Sequence, residues 1–132
     1  MTTQRTATLT GSAPVLLVRD LEASVAHYRD ALGFERVTTF GDPIYFAIAR
    51  RDGCAIMLRL ADDPNAVVPL WKVQDKLVNA YFWVDDAEAL YRELQERGAT
   101  IDYELYDTSY GVREFGINDV DGYDIAFGQP LR

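Results

Sequence analysis

The residues in this chain that are able to do chemistry are mostly carboxylates, and several come in pairs: Asp62-Asp63, Asp85-Asp86, and Asp119 with Asp121. Two carboxyls held close together can divide general acid and general base work. Each of these pairs, however, sits where Asp serves the backbone. Asp119 and Asp121 flank a turn before Gly122, Asp85-Asp86 precedes a helical pattern, and Asp62-Asp63 lies in a polar connecting stretch. The only histidine, His27, falls inside a helical pattern, so a site of two histidines and a carboxylate cannot be assembled from one chain. Cys54 is the only cysteine, which excludes an intrachain disulfide and any metal site built from several thiolates. It follows Gly53 in an apolar run and reads as buried filler.

The elements that position these groups belong to a chain of 132 residues, enough for one core and too short for two independent ones, so a single domain over residues 1–132 is expected. The formal charge of -8 repels phosphate backbones and anionic membrane surfaces, and no basic run offsets it, so neither nucleic acid nor membrane is an expected partner. A neutral or cationic small molecule suits this surface better. The opening MTTQRTATLTGSA is polar and Thr-rich with no apolar leader, and no stretch is long enough to cross a bilayer, which makes a cytoplasmic location the expectation.

The chain repeats itself. VRDLEASVAHYRDALGF (18–34) and VDDAEALYRELQERGA (84–99) share a strand-ending Val, an Asp two residues on, a later Tyr-Arg and a closing Gly. YFAIARRDGCAIMLRL (45–60) lies over EFGINDVDGYDIAFGQ (114–129) at a constant offset of 69, which pairs Phe46 with Phe115, Ile48 with Ile117 and Ile56 with Ile125. In each half an apolar strand (13–18 or 79–84) ends at Asp20 or Asp86, either suited to cap a helix. Leu21, Val25, Tyr28, Ala31 and Leu32, and then Ala87, Leu90, Tyr91 and Leu94, recur at helical spacing, with Gly33 and Gly98 as stops. The rest of each half reads as strands closing in an Asp-Gly hairpin. The expected fold is α+β, with two βαβββ modules in tandem (about 13–60 and 79–129) and a loose linker at 61–78. Their curled mixed sheet surrounds a concave cleft, with the helices on the outer face.

Paired βαβββ modules, the V-x-D-L-x-x-S-x-x-Y-x-x-x-L-G-F opening and the closing Y-G-x-R-E-F-x-x-x-D-x-D-G-x-x-x-x-F-G hairpin resemble the vicinal oxygen chelate superfamily, in its glyoxalase and bleomycin resistance group. The likeness spans residues 13–129. Val120 stands where the family usually has Pro and Tyr123 where it usually has Asn. The resemblance implies a divalent metal held by His or Gln from the first strand of each module and Glu from the last. Those positions here are Ala13, Asn79, Met57 and Ala126, and none is a good ligand for a hard cation. The resemblance therefore does not carry metal-dependent glyoxalase or dioxygenase activity to this chain, and no metal or cofactor is expected.

Strand alternation, taken in step with those positions, sets Leu17, Met57, Arg59, Asn79, Tyr81, Trp83, Glu114 and Asp124 toward the cleft. The aromatic rings suit a flat ligand and the carboxylates a cation. Arg59 and Arg113 either neutralise nearby carboxylates or meet an anionic ligand group. Trp71, in the linker, either covers a cleft or tucks against the sheet. The resemblance implies homodimers with ligand sites at the subunit interface, and the leading expectation is a metal-free protein that sequesters an aromatic or cationic, antibiotic-like compound. Two alternatives remain: a metal-independent lyase or isomerase using Glu114 or Asp124 as general base, and a scaffold in which Trp83 is covered by protein.

Overall fold

The first module runs from β1 (Val15–Val18) through α1 (Leu21–Ala26, continued as a π-helical stretch His27–Ala31) to β2 (Arg36–Gly41), β3 (Ile44–Arg51) and β4 (Cys54–Leu60). After a connecting segment holding the short helix α2 (Leu70–Val73), the second runs through β5 (Ala80–Trp83), α3 (Ala87–Glu96), β6 (Thr100–Asp107), β7 (Val112–Asn118) and β8 (Asp124–Pro130). This computed structural model describes residues 3–132. Each module makes its own mixed four-stranded sheet, in the orders β1-β4-β3-β2 and β5-β8-β7-β6, with only the first-listed pair parallel. The α+β class and the tandem βαβββ plan are as expected.

Local chemistry accounts for the helix boundaries. Asp20 Oδ1 accepts from the Ala23 amide at 3.1 Å and Asp86 Oδ1 from the Ala89 amide at 3.0 Å, each satisfying an N-terminal donor. Both helices stop at a glycine in the left-handed region, Gly33 (φ 76) and Gly98 (φ 89). The apolar faces of α1 and α3 cover one side of each sheet and form one hydrophobic cluster. It takes Leu16, Val18, Ile56 and Leu58 from the first module and Phe115, Ile117, Ile125 and Phe127 from the second. Hydrogen bonds cross between modules as well: Tyr28 Oη donates to Asp119 Oδ2 at 2.6 Å, and Tyr123 Oη to the Leu17 carbonyl at 2.6 Å.

Two sequence expectations change. The ungapped offset of 69 holds for β4 against β8 but fails for the preceding strand. Arg59 pairs with Phe46 and Gly128 with Glu114, so Phe46 and Glu114 occupy the same place although they are 68 residues apart. The cause is the turn: five residues separate the paired Asn118 and Asp124, against four between Arg50 and Ala55. Phe46 and Ile48 accordingly share the face of Arg59 and Met57, while Ala47 and Ala49 are the buried pair. The linker is also less loose than expected, because Val67 and Pro69 are buried and the Arg19 guanidinium donates to the Val67 carbonyl at 2.8 Å.

Candidate functional site

On the uncovered face of the second sheet, alternation along β5 brings up Tyr81 and Trp83, β7 supplies Glu114 and Gly116, and β8 supplies Asp124, Ala126 and Gly128. Glu114 is the centre of this surface. Its carboxylate is only 6% exposed and accepts from three phenols: Tyr81 (3.0 Å) and Tyr110 (2.7 Å) on Oε1, and Tyr103 (2.8 Å) on Oε2. The phenols feel it in turn. Burial and then the bond to Glu114 push Tyr81 and Tyr103 well above the usual tyrosine range, and for Tyr110 the bond itself is the main cause of a rise to about 12.

Two glycines make room for this arrangement. A Cβ at Gly128 would overlap the Tyr81 hydroxyl, and one at Gly116 would overlap the Tyr103 ring. The Tyr103 ring is the less yielding obstacle, because Gly116 faces the ring edge whereas Gly128 faces the far tip of Tyr81. Gly116→Ala is therefore expected to cost about 1–3 kcal/mol in urea denaturation, with the near-ultraviolet tyrosine signal altered as Tyr103 leaves Glu114. An unchanged midpoint and spectrum would show that the ring is free to move.

Beside this anchor lies an aromatic edge. Trp83 is 62% exposed and meets Tyr81 edge-on, with ring centroids 4.9 Å apart. On the other side is Asp124, 5% exposed, with its Oδ1 buried and without a hydrogen-bond partner. Burial first, then Asp102 and then Glu114, raise the Asp124 carboxyl to about 8. Asp124, Asp102, Asn118, Gly122, Trp71, Asp75 and Lys76 line a depression of about 520 Å³. Trp71 is held at its rim by Nε1, which donates to the Gly122 carbonyl at 2.7 Å, and the Lys72 ammonium lies 5.5 Å from its ring centre.

The other expected residues are dispersed. Leu17 and Met57 lie on the uncovered face of the first sheet, where Val15 pairs with Met57 and Leu17 with Arg59. Arg59 stays local, with its guanidinium 5.5 Å from the Tyr45 ring centre, 3.6 Å from Asp62, and bonded to the Leu60 carbonyl. Arg113 grips Asp107 through two bonds of 2.7 and 3.2 Å, one residue out of step with Glu114 and so on the opposite face. The turn carboxylate Asp119 behaves as its position suggested, accepting from the amides of Asp121 and Tyr123.

The positions at which the resemblance implies a metal do not fit one here. Asn79 spends its Oδ1 on the Leu70 amide at 3.0 Å, capping α2, and Ala126 is fully buried. Ala13 has no donor, and the Met57 thioether is a poor match for a hard cation. Among the described residues no three His, Cys, Asp or Glu side chains gather to hold an ion.

Sequence reasoning missed Tyr103 and Tyr110. Strict alternation sends Tyr103 to the same side as Ile101 and Leu105, but β6 carries register shifts on both sides of Tyr103, which leave it opposite Gly116. The available signal was a pair of glycines on the face that carries Tyr81 and Trp83, together with three tyrosines between residues 103 and 110.

A repeated βαβββ module, helices on one side of each sheet and an aromatic face left open on the other, defines a paired-module fold whose open faces are suited to small organic molecules. The chain belongs to the Glyoxalase/Bleomycin resistance protein/Dioxygenase superfamily, whose model matches residues 10–127. Among solved structures it is similar to TioX from Micromonospora sp. ML1, with a TM-score of 0.72, 22% identity, and 92% of this chain and 98% of that one covered. It is also similar to the bleomycin-binding protein of Streptomyces verticillus complexed with copper(II)-bleomycin, with a TM-score of 0.64, 24% identity, and 96% and 99% covered. A glyoxalase/bleomycin resistance protein from Catenulispora acidiphila gives a TM-score of 0.66 at 24% identity, covering 92% and 98%. At these identities the likeness establishes the fold alone. No curated protein matches the chain, and among the described residues no helix is long and apolar enough to cross a membrane.

Proposed function

We propose that this protein is a metal-free binding protein of the bleomycin resistance type, which protects by sequestering an aromatic or cationic, antibiotic-like compound. The observation that carries the reading is the open face of the second sheet. There an exposed Trp83 stands against Tyr81, and Tyr81 is tied to a buried carboxylate held by two further tyrosines. Such a surface offers a flat apolar contact whose supporting ring is already fixed, which reduces the ordering cost of binding. Sequestration needs affinity and copy number rather than a nucleophile, so the unsuitable metal positions are no defect. The charge of -8 favours approach of a cation. Two copies of the chain, each completing the other's open faces, are the proposed working form, and the cytoplasm is the proposed compartment.

The test is Trp fluorescence against a panel of cationic and aromatic antibiotics, with elemental analysis of the same sample. Saturable quenching without stoichiometric metal, weakened at least about tenfold by Trp83→Ala in folded protein, is the expected result; tenfold corresponds to about 1.4 kcal/mol. A panel without a binder, or one divalent metal per chain, would refute the reading. The Asp124 carboxyl, with Oδ1 buried and without a partner and its pKa raised to about 8, favours one competitor, a metal-independent enzyme with Asp124 as general base. That enzyme would lose turnover in Asp124→Asn while keeping its affinity.

A further inference from the structure

We propose that the depression walled by Trp71, Asp102 and Asp124 is a subsite for a protonated amine, whose ammonium meets the Asp124 carboxyl. The proposal rests on the binding reading above and names the charge that the ligand carries. It also places that charge away from Trp83, between α2, β6 and β8.

Three observations converge on it. Asp124 is 5% exposed and keeps one oxygen buried with no partner, which native proteins rarely tolerate without a use. Asp102, from β6, lines the same depression, and its charge adds to burial in disfavouring ionisation of Asp124. Trp71 is fixed at the rim by its bond to the Gly122 carbonyl, which holds a flat aromatic wall beside the carboxyls.

The charges facing Asp124 are Asp102 from β6 and Glu114 from β7, with Asp75 and Lys76 contributed to the depression by the segment after α2; the Tyr103 phenol of β6 faces it too. Glu114 is already engaged by three phenols. Lys76, the one cation in the wall, pairs with no carboxylate among the described residues. At neutral pH the Asp124 carboxyl of the empty subsite therefore keeps its proton. An entering ammonium stabilises the Asp124 carboxylate, its O–H bond breaks, and the proton leaves to water, so charge balances on both sides. Affinity for the amine should tighten as pH rises toward 8.

Phenethylammonium is the probe and 2-phenylethanol its neutral counterpart, measured by titration calorimetry at pH 7 in two buffers of different protonation enthalpy. The expected result is amine binding tighter than about 1 mM with net proton release, alcohol binding at least tenfold weaker, and the amine retained by Trp83→Phe. Asp124→Asn and Asp102→Asn should each weaken the amine at least tenfold, and Asp124→Asn should abolish the proton release. No amine binding, equal binding of the alcohol, or unchanged affinity and proton count in both variants would overturn the proposal. If the amine fails while the antibiotic panel quenches Trp83, the subsite falls and sequestration stands. If the amine binds as expected while the panel finds nothing, the subsite stands and sequestration falls.

Discussion

Replacing Glu114 with Ala is expected to destabilise the protein by on the order of 3–5 kcal/mol, the largest loss among single substitutions on the open face of the second sheet. The carboxylate is the common acceptor for Tyr81, Tyr103 and Tyr110. Without it the half-buried Tyr81 and Tyr103 hydroxyls lose their acceptor. Tyr110, itself 65% exposed, can turn to solvent, so the cost rests on the Tyr81 and Tyr103 hydroxyls. Glu114→Gln keeps one acceptor oxygen and should lose about half as much, and Tyr81→Phe about 1 kcal/mol. Urea denaturation of the series decides the matter. A Glu114→Ala protein within 1 kcal/mol of the parent would mean that the tyrosines do not depend on the carboxylate.

The opposite sign is expected for Asp124→Asn. The folded protein holds the Asp124 proton up to about pH 8, whereas the unfolded chain gives it up near 3.8. Between those values the unfolded state binds fewer protons than the native state, so this group lowers stability steadily as pH rises. Below the window both states are protonated and nothing is lost; above it the loss is complete. Asn keeps the shape, cannot ionise and offers an N–H to Asp102. The variant should match its parent near pH 4 and exceed it at pH 8 by on the order of 3 kcal/mol. Urea midpoints at the two pH values are the measurement, and a pH-independent difference would show that Asp124 is not strained by its charge. Such a gain would mark a site whose working residue is kept at a cost in stability.

Much of the frame that holds these groups was legible before any coordinates. On β1, β4, β5 and β8, counting alternate residues from the positions that the resemblance supplies gives the faces observed, with Leu16, Val18, Ile56, Leu58, Ile125 and Phe127 buried. Asp20, Asp86, Gly33 and Gly98 end their helices through local backbone chemistry, which depends on few neighbours. What escaped depended on strand pairing. Phe46 was matched to Phe115 because residue types agree at offset 69, and the extra turn residue that breaks this register is visible only when the strands pair. Tyr103 escaped for the same reason; Trp71 stood out in the sequence, but its partner, a backbone carbonyl 51 residues away, was not legible.

The irregular pairing that turns Tyr103 toward Glu114 has a second effect, on the outer border of the sheet. β6 is an edge strand, with a row of backbone donors and acceptors that an incoming strand from another molecule could extend. Two interruptions of its register, with Asp102, Glu104 and Asp107 along it, spoil that row as a template and repel a second copy of itself. The strand that completes the tyrosine anchor is thereby guarded against fibrous self-association.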